Sequence, residues 1–217
     1  MSLLPIVIIG GGGYAKVVAN IILKLCKYRV VGYTAPEEQL PVRQLGIKYL
    51  GDDSILPILL EQEVTLAALA VGSIGENRLR AKLYERIRNL GFSFPPLIHP
   101  AAIVASDIIL SEASVIGPGA VINPGVEIGV NVIVNSAAVV EHDCFIGKHV
   151  HISPGAVICG GVQVGDLAHV GAGAVAIQGL RIGEGAVIGA GAVVLHDVEP
   201  WTVVAGNPGR VIRKLKE

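Results

Sequence analysis

Residues 139–153, VVEHDCFIGKHVHIS, place three histidines and two acids among β-branched residues. A neutral imidazole accepts a proton near pH 7, and a carboxylate on its other ring nitrogen fixes the tautomer. The segment therefore contains a candidate general base, His142, between Glu141 and Asp143. The same residues also fit a buried structural strand or a zinc site, because histidine is a frequent zinc ligand. The elements around the segment distinguish these alternatives.

The second half of the chain has a period of six residues. Counting every sixth residue from Val104 to Val194, fifteen of sixteen positions are Val, Ile or Leu, and glycine often follows. A parallel β-helix uses such a repeat: the aliphatic residue points inward, and three hexads (18 residues) close one triangular coil. The uninterrupted run predicts roughly five coils, with glycine at the corners.

The first half alternates strand and helix signals. Predicted strands are Ile6–Ile9, Arg29–Tyr33, Gly46–Leu50 and Leu66–Val71, and predicted helices are Tyr14–Leu25, Ser54–Glu61 and Asn77–Leu90. This alternation predicts a small parallel, Rossmann-like α/β sheet. The last helix is expected to bury Leu79, Leu83, Ile87 and Leu90. Because Pro95-Pro96 breaks the pattern, the predicted domains are residues 1–97 and 98–217.

Composition excludes several classes of function. The net charge of −1 gives no reason to expect a nucleic acid or an anionic membrane as partner. The apolar start LLPIVIIGGGG is too short to span a bilayer and lacks a basic segment, so no membrane insertion is expected. The three cysteines show neither disulfide nor metal-ligand spacing, which favours a reduced, cytoplasmic setting.

Four consecutive glycines lie between the first strand and the first helix. Gly10-x-Gly12-x-x-Ala15 formally matches the dinucleotide fingerprint, but the second strand ends in Tyr33-Thr34 with no acid for a ribose. Bare glycine amides at a helix N-terminus still bind phosphate, so a phosphate-bearing ligand fits this loop. The predicted substrate-binding residues share one sheet edge: Gly11, Gly12, Gly13, Tyr14, Thr34, Gly72 and Ser73, with Asn77-Arg78 close by.

The hexads and the tail VAGNPGR resemble the hexapeptide-repeat acyltransferases. The order of parts, GGGGY followed by NSAAVVEHDC within the repeats, resembles the sialic-acid O-acetyltransferase family, and among its members the nucleotide-sugar N-acetyltransferases. The resemblance implies a left-handed β-helix, a homotrimer and acetyl-CoA as co-substrate without a metal. The implied acceptor is the amine of a UDP- or GDP-linked 4-amino-4,6-dideoxy sugar.

The repeat register puts His142 near a corner with its side chain outward, and Gly160 lies 18 residues later on the next coil. His142 is therefore expected to face a gap where a thioester lies close to a backbone N–H, as acyl transfer requires. The family motif places the acid directly after the histidine, which favours Asp143, although Glu141 also flanks it. The implied mechanism is direct attack without an acyl-histidine.

Ala172 and Ala190, also 18 apart, form a smooth strip on which a pantetheine arm can lie. The family places CoA in such a groove between subunits, and His151 resembles one of its CoA contacts. The basic tail residues either meet the CoA phosphates or form a solvated helix face: Arg210, Arg213, Lys214 and Lys216. His149, His169 and His196 are expected to be surface or interface residues.

Three other functions remain open from sequence. The same scaffold acetylates a hydroxyl, as in sialic-acid O-acetylation; it also forms zinc lyases of the carbonic-anhydrase type, with three histidines across a subunit interface; and it can act as a non-catalytic trimer. The glycine loop favours the acetyltransferases. The sequence does not distinguish UDP from GDP or dTDP.

Overall fold

The computed structural model describes residues 3–216 and begins with a three-stranded parallel sheet of order β2-β1-β3. The strands are β1 (Leu4–Ile9), β2 (Tyr28–Thr34) and β3 (Leu66–Leu69). The central β1 is apolar along its length because both faces of the sheet are covered. Ile6 and Ile8 pack against the first helix, and Val7 and Ile9 pack against the later helices.

Four helices surround this sheet: α1 (Gly13–Leu25), α2 (Leu40–Arg43), α3 (Leu56–Glu61) and α4 (Arg78–Asn89). A 3-10 turn at Asp53–Ile55 leads into α3. The predicted strand Gly46–Leu50 is wrong, since that segment makes only the isolated bridge Tyr33–Tyr49. The strand predicted to end at Val71 ends at Leu69, and the segment beyond it is free to line a cavity.

The predicted buried face of α4 is also wrong at two of its four positions, whereas Ile87 is fully buried and Leu83 packs, partly buried, against the apolar core. Leu79 is 68% and Leu90 43% exposed, and the buried residues are Arg80, Tyr84 and Ile87. Both stripes have helical spacing, so periodicity alone does not choose between them. Polar groups can be buried here because the adjoining structure supplies partners, such as the Glu112 carboxylate, which accepts the Tyr84 hydroxyl hydrogen bond at 2.8 Å.

Residues from Leu97 onward form a parallel β-helix with three faces, which confirms the predicted fold class of an α/β domain followed by a left-handed β-helix. We call its faces the covered face, the valine face and the polar face. The covered face consists of Leu97–Ile98, Val115–Ile116, Ile133–Val134, His151–Ile152, His169–Val170, Val187–Ile188 and Thr202–Ala205. The first and last of these extend the β-helix beyond the roughly five coils predicted from Val104 onward.

The other two faces are made of two-residue strands that repeat every coil. The valine face consists of Ile103–Val104, Val121–Ile122, Val139–Val140, Val157–Ile158, Val175–Ala176 and Val193–Val194. The polar face consists of Ile109–Leu110, Glu127–Ile128, Phe145–Ile146, Gln163–Val164 and Arg181–Ile182. The second residue of each pair points inward, so the hexad aliphatics form one continuous core.

Two kinds of corner position explain the glycines of the repeat. Every sixth residue from Ala113 to Gly191 has a positive φ, and Asp143, at φ 59°, is one of these. The glycines that follow the inward aliphatics have no such φ and serve close packing instead. A Cβ on Gly129 would lie 2.9 Å from the carbonyl carbon of Gly147 on the next coil. The corner role predicted for these glycines therefore belongs mainly to the positive-φ residues.

The α/β domain sits on the covered face through polar contacts. Ser73 Oγ lies 2.9 Å from His151 Nδ1, and the Asn77 amide donates to the carbonyls of Leu167 and Ala168 at 3.0 and 2.8 Å. The chain ends in an antiparallel hairpin of Thr202–Ala205 and Arg210–Lys214, so the C-terminal helix considered for the tail is wrong. Within residues 3–216, no helix combines the length and apolarity needed to cross a membrane.

Candidate active site

His142 and Asp143 form a dyad at the corner between the valine face and the polar face. His142 Nδ1 lies 2.8 Å from Asp143 Oδ2, and both side chains are mostly exposed. The positive φ of Asp143 turns the chain so that its carboxylate comes back to the preceding imidazole, and aspartate tolerates this conformation better than most residues. Glu141, the other acid considered, makes no hydrogen bond to the ring among the described residues.

Two glycines, one coil before and one coil after, make room for this dyad. A Cβ on Gly160 would lie 2.6 Å from His142 Nε2, so the ring lies directly over Gly160. A Cβ on Gly125 would lie 2.6 Å from Asp143 Oδ1. The space expected above Gly160 is thus occupied by the imidazole itself. Gly125, 18 residues before Asp143, could have been identified from the same register.

The electrostatics of the dyad suit proton transfer. The hydrogen bond to Asp143 raises the pKa of His142 above its ordinary value, with smaller contributions from the charges of Asp143 and Glu141. The carboxylate holds Nδ1, and no described hydrogen bond occupies Nε2. Among the backbone hydrogen bonds of residues 3–216, none uses the Gly160 N–H, although Gly161 N–H donates to the His142 carbonyl at 2.9 Å. A base and a free amide therefore adjoin one another.

The glycine loop and the segment after β3 enclose a cavity of about 600 Å³, the glycine-loop cavity. It is lined by Gly10–Tyr14, Ala70–Ile74 and His151. No side chain caps the N-terminus of α1, and its first turn contains no acid, so the first helical N–H groups remain available. Open space surrounds Gly12 and Gly13, where an added Cβ would meet nothing within 4 Å. This arrangement can hold an anion.

Thr34 lies outside the glycine-loop cavity, contrary to the single pocket expected for the substrate residues. Its hydroxyl is buried and donates to Asp53 Oδ1 at 2.6 Å. Both residues line a neighbouring cavity of about 740 Å³ that shares only Gly10 and Val71 with the first. Asp53 thus brings an acid to the end of β2, where the sequence has none. It comes from a separate turn, and no local motif marks it.

His151 connects the glycine-loop cavity to a second groove. Its Nε2 lies 3.3 Å from Asn135 Nδ2, and Asn135 Oδ1 accepts the Ser136 N–H, so the amide group faces the ring as a donor. Nδ1 must then carry the proton and donate to Ser73 Oγ. Burial lowers the pKa of His151 to about 3, with a smaller contribution from His169. His151 is therefore neutral at physiological pH.

The second groove, of about 430 Å³, contains both predicted strip alanines. Ala172 and Ala190 are exposed, and with Gly171 and Gly189 they leave a smooth wall that ends at Ser73 and His151. We call it the alanine groove. The predicted residues therefore fall into two sets within one chain. Gly11, Gly12, Gly13, Tyr14, Gly72, Ser73, His151, Ala172 and Ala190 line connected cavities, whereas His142, Asp143 and Gly160 line none of those described.

The remaining histidines are not gathered into a ligand cluster. His169 packs edge-on against His151 with ring centroids 5.0 Å apart, and His149 Nδ1 lies 2.9 Å from the Asn131 amide nitrogen. His196 is exposed. Over residues 3–216, no group of three or more His, Cys, Asp or Glu side chains is arranged to hold a metal ion. Asn77 and Arg78 line a third cleft with Trp201, Arg213 and Lys216, away from the glycine loop.

A glycine-rich loop on a small parallel sheet, joined to a hexapeptide β-helix with a corner His-Asp dyad, is the arrangement of hexapeptide-repeat transferases. The profile of the PglD N-terminal domain matches residues 5–87. Bacterial transferase hexapeptide repeats match residues 143–176, and the hexapeptide repeat of succinyl-transferase matches residues 170–196. No curated protein matches the sequence significantly.

Solved structures match almost the whole chain. A mutant of perosamine N-acetyltransferase from Caulobacter crescentus, in complex with CoA and GDP-perosamine, is 37% identical, covers 96% of this chain and 97% of its own, and has a TM-score of 0.89. The acetyltransferase domain of PglB from Neisseria gonorrhoeae, in complex with acetyl coenzyme A, is 35% identical over 97% and 100% of the two chains, with a TM-score of 0.86.

The chain therefore belongs to the sialic-acid O-acetyltransferase family of hexapeptide-repeat acyltransferases, on the branch of the nucleotide-sugar N-acetyltransferases. The predicted family and the predicted enzyme class, an acetyltransferase, are confirmed.

Proposed function

We propose that this protein transfers the acetyl group of acetyl-CoA to the 4-amino group of a nucleotide-linked 4-amino-4,6-dideoxy sugar, with His142 as general base. The observation that carries the proposal is the dyad itself. Asp143 holds Nδ1 at 2.8 Å, which leaves Nε2 to take a proton, and the ring lies over Gly160, whose N–H takes part in none of the described backbone hydrogen bonds.

The steps of the reaction follow from these groups. The amine nitrogen attacks the thioester carbonyl carbon while His142 Nε2 takes the amine proton, and Asp143 stabilises the resulting imidazolium. The Gly160 N–H donates to the oxygen that becomes negatively charged. The tetrahedral intermediate collapses, the carbon–sulfur bond breaks, and the imidazolium proton goes to the CoA sulfur. The products are an amide and free CoA, with no acyl-enzyme.

The alanine groove is the proposed site of acetyl-CoA. Its wall of glycine and alanine has no side chains that would block a pantetheine arm, and His151 at its end is neutral and places no charge against that arm. Bound CoA in a perosamine N-acetyltransferase and bound acetyl-CoA in the PglB domain support acetyl-CoA as the co-substrate.

The glycine-loop cavity is the proposed site of the nucleotide sugar. Uncapped N–H groups at the start of α1 favour a diphosphate, and Gly72 and Ser73 close the opposite side. The relative from Caulobacter crescentus is solved with GDP-perosamine, a nucleotide-linked amino sugar, which supports an amine acceptor over the hydroxyl acceptor of the O-acetyltransferases. Thr34 and Asp53 in the adjoining cavity are positioned to select the nucleoside.

A homotrimer would bring the two sets of site residues together. The outward residues of the valine face are all apolar, from Ile103, 68% exposed, through the half-buried Val121, Val139, Val157, Val175 and Val193. An unpartnered apolar ladder favours contact with another copy. The His142 corner borders one edge of this face and the alanine groove the other. Packing of three valine faces would therefore set His142 of one copy against the groove of its neighbour.

A panel of acceptors tests the proposed reaction. We expect CoA release from acetyl-CoA with one of the UDP-, GDP- or dTDP-linked 4-amino-4,6-dideoxy sugars, and mass spectrometry should show one added acetyl group on nitrogen. Turnover with sialic acid or another sugar hydroxyl, and none with any amine, would establish the O-acetyltransferase instead. Turnover with neither class would refute the acceptor assignment. The cytoplasmic location and a role in glycan synthesis remain predictions.

A further inference from the structure

Arg80, on the first turn of α4, is the single lysine or arginine among residues 3–216 whose side chain is buried, at 1% exposure. Its Nη1 donates to the carbonyls of Leu69 at 3.2 Å and Val71 at 2.8 Å. Nε and Nη2 have no hydrogen-bond partner, and none of the described ion pairs includes Arg80. A buried cation without a counter-charge is strongly unfavourable, so this position calls for an explanation.

The titratable groups around Arg80 do not neutralise it. The hydroxyl of Tyr14 is buried and has no hydrogen-bond partner among the described residues. Burial raises the pKa of Tyr14 to about 12, although the positive charge of Arg80 acts to lower it. Burial lowers the pKa of both His149 and His151, and Arg80 adds to each effect. Glu85 and Asp166 act on His149 but form no pair with Arg80. Burial lowers the pKa of Arg80 to about 10, which leaves it charged at neutral pH.

The contacts of Arg80 place it behind the glycine-loop cavity. The carbonyls that it binds lie at the end of β3 and at the start of the segment Ala70–Ile74, which forms one wall. Tyr14, on the opposite wall, touches this segment, since a Cβ on Gly72 would lie 3.3 Å from the Tyr14 Cβ. A dianionic ligand in the cavity would supply the missing negative charge across this wall, and such an interaction is stronger through protein than through bulk water.

We propose that Arg80 is a positioning and specificity residue for the diphosphate of the substrate: it fixes the Gly72–Ser73 wall, and its buried charge favours phosphate-bearing ligands in the glycine-loop cavity. This inference rests on the proposed function and adds the group that selects a nucleoside diphosphate over an uncharged nucleoside or sugar. The N-terminus of α1 supplies N–H donors, and Arg80 supplies the full charge that the loop itself lacks.

Calorimetric titration of the whole oligomer tests this proposal, with GDP, UDP and inorganic pyrophosphate as probes and guanosine and uridine as uncharged comparisons. Arg80→Gln should raise the Kd of the bound diphosphate about tenfold or more, while nucleoside binding changes by less than about threefold. Arg80→Lys, which keeps the charge, should stay within about threefold of the wild type. The KM of the nucleotide sugar should rise with little change in the KM of acetyl-CoA. Lys82→Gln, an exposed cation two residues away, is the matched control.

Three results would overturn the proposal. A folded Arg80→Gln variant with wild-type diphosphate affinity shows that the charge does not matter. Equal weakening of diphosphate and nucleoside shows a purely structural role. Where Arg80→Gln does not fold, a folded Arg80→Lys that loses about tenfold or more in diphosphate affinity contradicts the charge argument. If the wild type binds no nucleoside diphosphate at all, the proposed function is refuted as well. That result differs from the three above, in which the wild type binds and only the role of Arg80 is refuted.

Discussion

At the scale of single residues, the proposed chemistry depends on the imidazole of His142 and on three residues around the dyad. Asp143 holds the other ring nitrogen of His142, Gly160 lies beneath the ring, and Gly125 accommodates the carboxylate. The six-residue register was enough to pair position 142 with position 160, because parallel coils stack at a fixed spacing. Asp53 and Arg80 could not be found this way, since they reach the site from outside the repeat through contacts that no local pattern records.

Asp143→Asn should shift the pH profile. His142 must be neutral to act as a base, so kcat/KM should fall as the pH drops through its raised pKa. The substitution removes the main cause of that rise, and the acidic limb of the profile should therefore move to lower pH while the maximal rate decreases. The profile of kcat/KM against pH for both proteins measures this. An unmoved acidic limb would mean that Asp143 does not set the pKa of His142.

Gly160→Ala should impair the reaction more than the fold. The new Cβ would meet His142 Nε2 at 2.6 Å, so the ring must move, but no backbone atom is displaced. We expect a loss of about tenfold or more in kcat, since a small misplacement of a reacting group is costly, with the melting temperature nearly unchanged. Gln178→Ala, at the same corner one coil later, is the control. Full activity in Gly160→Ala would show that the ring position is not critical.

At the scale of elements, the two halves of the chain differ in how far sequence determines structure. Each hexad of the β-helix contacts its equivalents 18 residues away, so one pattern fixes strand, register and corner together. The helix α4 has a leucine stripe and a second stripe of Arg80, Tyr84 and Ile87, and it contacts two surfaces, the sheet and the β-helix. Its buried face was therefore set by tertiary contacts, as the pairing of Tyr84 with Phe94 at 5.3 Å shows, rather than by its leucines.

Two alanine substitutions on α4 test which stripe is buried. Tyr84, which is 2% exposed and belongs only to the observed buried stripe, should cost about 3–5 kcal/mol of unfolding free energy when replaced by alanine. Leu79, 68% exposed, should change it by less than about 0.5 kcal/mol. Urea unfolding followed by circular dichroism gives both values. The reverse order would favour the face that the leucine spacing predicted.

At the scale of the whole molecule, the proposed trimer rests on the observation that His142 lines neither the alanine groove nor the glycine-loop cavity of its own chain. The six-residue repeat predicted flat faces but could not predict which face stays free. The docking of the α/β domain decides which face is covered, and that contact lies outside the repeat. That docking leaves the valine face open between the two halves of the proposed site.

Mixed oligomers test whether the site is shared. His142→Ala lacks the base, and Ala172→Trp blocks the groove, so each variant alone should be nearly inactive. Co-expressed chains should form mixed trimers in which an intact His142 faces an intact groove, and a substantial part of the activity should return. Val157→Asp on the valine face should give monomers by light scattering and abolish activity, whereas Gln163→Asp on the polar face should do neither. Mixed oligomers that stay inactive would place the whole site within one chain.

The most direct test of the central claim compares the wild type with His142→Ala and His196→Ala on the acceptor that the panel identifies. His196 is an exposed histidine outside the site, and its replacement should leave the rate of CoA release unchanged. Replacement of His142 should lower kcat by about 10²–10⁴-fold with both substrates still bound, as expected for the loss of a general base. Wild-type turnover in a folded His142→Ala protein would contradict the account.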